Sequence, residues 1–93
     1  MEIKYYSSYV KDLKKLSPNI KLIAKNIEQE LRSLNFESLS KHPKITLMVG
    51  NNKAARYKIG EWRLGFYIEN IDGKKYLILA RFLNRKEIYR NFP

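Results

Sequence analysis

The chain has 93 residues, 44% of them hydrophobic, and its 19 Lys and Arg against 9 Asp and Glu leave a formal charge of +10. This composition supports one packed domain over residues 1–93 and excludes low-hydrophobicity disorder, while the absence of Cys removes disulfide frameworks, thiolate metal sites and cysteine nucleophiles together. The longest apolar run, Tyr76-Leu77-Ile78-Leu79-Ala80, is too short for a membrane helix, and Met1-Glu2-Ile3-Lys4 opens no signal-peptide pattern, so a cytoplasmic protein with a polyanionic or acidic partner is expected, nucleic acid first.

Residues 2–6 mix β-branched and aromatic side chains and predict a short first strand, with Ser7-Ser8 offering a helix cap. From Tyr9, the apolar positions Val10, Leu13 and Leu16 recur at helical spacing, with Lys11, Lys14 and Lys15 opposite, and predict a two-turn amphipathic helix. Ser17-Pro18 then sets a capping hydroxyl before a proline at the first helical position, where its missing N–H costs nothing. Ile20, Ile23, Ala24, Ile27, Leu31 and Leu34 form the apolar stripe of a second helix ending near Leu34. Between Asn35 and Ala54 the periodicity fades among Ser38, Ser40, Pro43, Gly50, Asn51 and Asn52, and a loop is expected with one short extended piece at Ile45-Thr46-Leu47.

Three strand-like runs follow, at 54–59, 62–70 and 74–83. Gly60-Glu61 is the two-residue loop of a type II′ hairpin, which pairs Ile59 with Trp62, Tyr57 with Leu64 and Ala55 with Phe66 on a core side. Lys58 then faces Arg63, and Arg56 faces Gly65, on the other side. Asp72-Gly73 is a type I′ turn pairing Ile68 with Leu77 and Phe66 with Leu79, so Gly65 and Ala80 are expected to meet at the centre of the basic face and leave a depression there. Continued further, this register sends Arg81 toward the helical layer opposite Leu64, unless it snorkels to the rim or the register slips by one residue. Asn84 with Glu87 three residues on predicts a capping box and a last short helix to about Phe92, with Arg85 and Tyr89 on one face. The expected fold is α+β: β-α-α-β-β-β-α, an antiparallel meander with two N-terminal helices on one face and a short C-terminal helix.

Arg56, Lys58, Arg63, Arg85 and Tyr89 therefore gather on one face or at its edge, outside the core, in a set without a carboxylate. Such a set suits phosphate, because guanidinium groups grip its oxygens, a lysine supplies a point charge or carries a proton, and a ring stacks on a base. It could also cleave RNA without metal, a base removing the 2′-hydroxyl proton while cations stabilise the phosphorane. A lysine is a costly base: lowering it from about 10.4 to about 7 takes roughly 4 to 5 kcal/mol, and nearby arginines push in that direction. The plain alternative is a solvated basic sheet face of the kind that protects strands from aggregation. His42, the one histidine, has no partner at metal or triad spacing and reads as a loop residue, and Trp62, Leu64, Phe66 and Ile68 read as core. Lys11, Lys14, Lys15, Lys21 and Lys25 read as wet helix faces, and no metal or cofactor is expected.

The stretch Arg56-Tyr57-Lys58-Ile59-Gly60-Glu61-Trp62-Arg63-Leu64, with Leu83-Asn84-Arg85-Lys86-Glu87-Ile88-Tyr89, resembles the RelE/ParE family of bacterial toxins from toxin–antitoxin pairs, as does the order of elements. The resemblance implies an endoribonuclease that cuts messenger RNA in the ribosomal A site if the RelE branch is followed, and a DNA gyrase inhibitor if the ParE branch is, with an inactive RNA- or antitoxin-binding relative as a further alternative. In the RelE branch it implies Lys58 as general base, Arg63 on the scissile phosphate, Arg85 protonating the 5′-oxygen, Tyr89 orienting or stacking the nucleotide, and Arg56, with Lys86, binding RNA phosphates. Asn84 stands where many ribosome-dependent relatives carry His, which shifts the acid–base work to Lys58 and Arg85. The implied partners are ribosome, messenger RNA and a cognate antitoxin whose acidic, amphipathic segment wraps the body and covers or displaces the last helix.

Overall fold

The computed structural model describes residues 1–48, 50 and 53–93. In chain order these form β1 (Glu2–Tyr5), α1 (Ser7–Lys14), α2 (Pro18–Ser33), α3 (Phe36–Ser40), β2 (Ile45–Leu47), β3 (Ala54–Ile59), β4 (Trp62–Ile71), β5 (Lys74–Asn84) and α4 (Arg85–Asn91). The five strands lie in the order β1-β5-β4-β3-β2. The β3–β5 meander is antiparallel as expected; β2 adds to it antiparallel, and β1 pairs parallel with β5, a distant pairing that no turn residue announces.

The α+β class holds, with two short elements added inside the expected 35–54 loop. One is β2, at the extended piece anticipated there. The other is α3, whose cap is made locally: Asn35 Oδ1 accepts from the Ser38 N–H at 2.8 Å while Ser38 Oγ accepts from the Asn35 N–H at 3.0 Å. Five residues are too few for an apolar period to develop, so only the cap could have signalled this helix. Val49, Asn51 and Asn52 of the same expected loop lie outside the described residues.

One sheet face packs on α1 and α2. Ala24, Ile27 and Leu31 of α2 meet Ala55, Tyr57, Leu64, Phe66, Ile68, Leu77, Leu79 and Phe82, with Trp62 partly buried beside them, as the alternation predicts. Burial of each large apolar side chain contributes about 1.5–3 kcal/mol. In α1 the buried apolar position is Tyr9, not Val10, which is 41% exposed. Tyr9 turns inward because its hydroxyl has a partner: it donates to Glu28 Oε2 at 2.7 Å. Burial first, and that hydrogen bond second, raise the Tyr9 hydroxyl above its ordinary pKa. Ser17 is the N-cap of α2 with Pro18 following it, as expected, though without a capping side-chain hydrogen bond, and in α1 neither Ser7 nor Ser8 is the cap. The helix starts at Ser7, behind Tyr6, and Ser8 Oγ instead donates to the Ala80 carbonyl at 2.6 Å.

The register differs from expectation at one point. Phe66 pairs with Leu79, but Gly65 pairs with Arg81 and Leu64 with Phe82, so a β-bulge at Ala80 shifts the rest of β5 by one residue. Without it Arg81 would enter the core and Phe82 would leave it. With it Phe82 is fully buried, stacking on Trp62, while Arg81 leans out to the edge. There Asp12 of α1 accepts from Arg81 Nε at 2.8 Å and Nη2 at 3.0 Å, and from the Phe82 N–H at 3.0 Å. The Asp12 hydrogen bonds raise the Arg81 pKa further above its already high ordinary value.

At the chain's other end Asn84 caps α4 through the Lys86 N–H at 3.0 Å, one residue short of the expected capping-box partner. Among the described residues no helix is long and apolar enough to cross a membrane. Asp12→Ala should destabilise the protein by about 2–4 kcal/mol, since hydrogen bonds to a charged group contribute about 1.5–3 kcal/mol and the buried Phe82 N–H loses its acceptor. Arg81→Ala leaves the buried Asp12 carboxylate without its counter-charge and should cost at least as much, about 3–5 kcal/mol; a loss under about 1 kcal/mol for either variant in urea unfolding would refute this account.

Candidate functional site

The sheet face away from α1 and α2 carries the alternate set of side chains. Pairing of Lys58 with Arg63, Arg56 with Gly65 and Thr46 with Arg56 sets five of these positions side by side across three strands. Thr46, Arg56, Lys58, Arg63 and Tyr89 line a depression of about 170 Å³. Tyr89 arrives from α4: Ile88 is buried against the sheet, while Tyr89 is 64% exposed and its ring lies 5.0 Å from the Arg56 guanidinium. That is cation–π range, which holds the guanidinium and the ring together and leaves the outer ring face free to stack. Four of the predicted residues, Arg56, Lys58, Arg63 and Tyr89, are thus brought together. Thr46 is an addition that only the β2–β3 register reveals.

The remaining expectations are amended. Arg63 is not outside the packed body: it is 9% exposed, and its Nη1 donates to the Gly60 and Trp62 carbonyls, each at 2.8 Å, tying down the β3–β4 turn. Arg85 does not line the depression. It pairs with Glu61 Oε2 at 3.1 Å, and its N–H donates to the Glu61 carbonyl at 2.8 Å, so the start of α4 is fastened to the same turn and a carboxylate stands at the edge of the cationic set. Lys86 is exposed on the first turn of α4. The expected hollow between Gly65 and Ala80 does not exist, because Ala80 is in the bulge and the Phe92 ring fills the space over Gly65.

A second polar group lies on the helical side of the sheet. Glu30 Oε1 accepts from Tyr57 Oη at 2.7 Å and lies 2.9 Å from His42 Nε2, while His42 Nδ1 accepts from the Lys44 N–H at 3.1 Å. His42 is outside helix and strand as read, but it fastens the α3–β2 connection to α2, a contact invisible in sequence. Burial, then the Glu30 hydrogen bond, raises the Tyr57 hydroxyl above its ordinary pKa. Among the described residues no group of three or more His, Asp or Glu side chains converges to hold a metal ion.

A shallow cationic depression with a stacking ring, on the open face of a small five-stranded sheet backed by two helices, defines a domain suited to an anionic, base-bearing ligand. No family model matches the sequence, and no curated protein does. Solved structures do. The chain is similar to a chain of the RelB–RelE antitoxin–toxin complex from Methanococcus jannaschii, with 28% identity and a TM-score of 0.69 over 97% of this chain and 99% of that one. A chain of the toxin–antitoxin complex RelBE2 from Mycobacterium tuberculosis shares the fold, at 19% identity and a TM-score of 0.60 over 90% and 96% of the two chains. In fold along nearly its whole length, and in sequence at 28% identity to the first of these, the chain is RelE-like.

Arg63 and Lys58 should separate in stability measurements. Arg63→Ala leaves two turn carbonyls without their donor and should cost about 1–3 kcal/mol. Lys58→Ala removes an exposed side chain and should stay within about 0.5 kcal/mol. Chemical denaturation of the two variants beside wild type checks this, and an unchanged midpoint for Arg63→Ala would show that its turn contacts contribute nothing.

Proposed function

We propose that this protein is the toxin of a toxin–antitoxin pair and acts as a metal-independent endoribonuclease on messenger RNA in the ribosomal A site, stopping translation. The observation that supports this best is the convergence of Arg56, Lys58, Arg63 and Tyr89 on one depression. Its likeness to RelE chains supports the toxin part of the reading and an antitoxin as partner. The charge of +10 favours both an acidic antitoxin segment and an RNA-rich target.

In the proposed reaction a messenger nucleotide stacks on the exposed face of Tyr89 while Arg56 and the free edge of Arg63 hold the scissile phosphate. The Lys58 amine takes the proton of the 2′-hydroxyl, and the 2′-oxygen forms its bond to phosphorus in line with the departing 5′-oxygen. Arginine charge offsets the negative charge that builds on the phosphorane oxygens, an effect worth about 10² to 10³ in rate per well-placed donor. The bond from phosphorus to the 5′-oxygen breaks, and that oxygen takes a proton delivered from the Arg85 side of the site, with Lys86 as a further phosphate contact. This requires Arg85 to exchange its Glu61 partner for the leaving group, which its half-exposed position permits. Asn84 is committed to capping α4 and takes no proton.

The products should carry a 2′,3′-cyclic or 3′-phosphate and a 5′-hydroxyl. A 5′-phosphate at the cut ends would reject the mechanism. Induction without antitoxin, followed by pulse labelling of protein and DNA synthesis, should show translation failing first in wild type. It should be spared in Tyr89→Ala, since loss of a stacking ring costs about 1–3 kcal/mol of base binding. DNA synthesis failing first in both would replace the ribonuclease with a gyrase inhibitor.

A further inference from the structure

Two apolar clusters hold this molecule, and the second is confined to the face that carries the cationic depression. It consists of Ala54, Ala80, Ile88 and Phe92, with Met48, Tyr67 and Leu83 packed around them, and it shares no residue with the main core under α1 and α2. Among the described residues this small cluster, through Ile88 and Phe92, holds α4 to the sheet together with the Glu61–Arg85 contacts and the Arg56–Tyr89 contact. Phe92 follows the last helical residue, donates its N–H to the Ile88 carbonyl at 2.9 Å, and is 3% exposed.

The seat for its ring is shaped by a missing atom. A Cβ on Gly65 would lie 2.7 Å from Phe92 Cγ and Cδ2 and 2.9 Å from Cδ1, distances that atoms in packed proteins do not tolerate. Tyr67, two residues along β4, closes the seat with its ring 5.1 Å from that of Phe92. Gly65 is also the partner of Arg56 across β3 and β4, and Arg56 is the residue against which Tyr89 rests. The ring that anchors α4 therefore sits over the β4 residue paired with Arg56, the residue that the α4 tyrosine meets.

From this arrangement we infer that Phe92, seated on Gly65, is the positioning residue that holds Tyr89 over Arg56. Phe92 touches no substrate; it acts through Tyr89. Because α4 is short and isolated helices of its length are marginal in water, its order depends on this seat. The inference rests on the proposed function for its catalytic consequence, though not for its structural one.

Amide hydrogen exchange on the full chain tests the structural part. In Phe92→Ala the amides of residues 85–91 should exchange about tenfold or more faster, while those of α2 and of the β4–β5 ladder stay as in wild type. Gly65→Ala adds a methyl, removes nothing from α4, and should produce the same local loss by expelling the ring. Unchanged protection of 85–91 in either variant, or a loss spread evenly over the chain, would overturn the inference.

The functional arm is a double-mutant cycle on messenger-RNA cleavage. Phe92→Ala alone should lower the rate about tenfold or more, yet less than about twofold when Tyr89 is already Ala, because a residue acting through another loses its effect with it. Additive losses would overturn the inference as well. If wild type cleaves no RNA the ribonuclease reading fails, and the exchange measurement alone decides whether Phe92 holds α4.

Discussion

The edge of β5 is the constraint around which the molecule is arranged. β1 is only four residues long and pairs with β5 at residues 76–79, so beyond Leu79 the outer backbone groups of β5 have no strand to meet. Unpaired strand groups that lose water cost about 1–3 kcal/mol each and invite association with other chains. Two α1 side chains one turn apart supply what the missing strand does not: the Ser8 hydroxyl reaches the Ala80 carbonyl, and the Asp12 carboxylate takes the Phe82 N–H. Asp12 is itself buried, and a buried carboxylate needs a counter-charge, which Arg81 provides. The bulge at Ala80 makes this possible by turning Arg81 outward and returning Phe82 to the core.

The same bulge shapes the opposite face. Ala80 falls within the bulged segment and, with Ala54 and Gly65, leaves the middle of the sheet low enough for the last turn and Phe92 to settle there. The main core and this second cluster differ in kind. One joins two long apolar stripes and carries the stability of the fold; the other is a few side chains deep and carries the position of a single helix. A local unit of this sort opens at far lower free energy than the whole domain.

The arginines at and beside the depression each make a structural contact. Arg56 holds a ring, Arg63 holds a turn, and Arg85 holds the start of α4 through a carboxylate. Each of these contacts restricts a flexible side chain before any ligand arrives, which reduces the ordering cost that binding would otherwise carry. Lys58 alone of the predicted set on the strands is exposed and points outward from a position fixed by the Lys58 N–H bond to the Lys44 carbonyl.

What the sequence determined by itself was whatever is encoded at short range. The α2 stripe from Ile20 to Leu34, the Gly60-Glu61 and Asp72-Gly73 turns, and the pairing of Lys58 with Arg63 and Arg56 with Gly65 follow from side-chain period and from the positive φ that those turns require. Because a strand alternates, the turns also assign Arg56, Lys58 and Arg63 to one face, so most of the depression was legible. Tertiary structure decided the rest. The parallel pairing of β1 with β5, the exchange of Arg81 for Phe82 in the core, the Arg85 pairing with Glu61, the burial of Arg63 and the seating of Phe92 on Gly65 each join groups whose partners no local pattern names. A bulge in particular leaves no periodic trace, since one extra residue in a strand reads as a continued alternation until the partner strand shows which side chains lie opposite. It formed here because Asp12, almost seventy residues earlier in the chain, holds the charge that Arg81 needs outside the core.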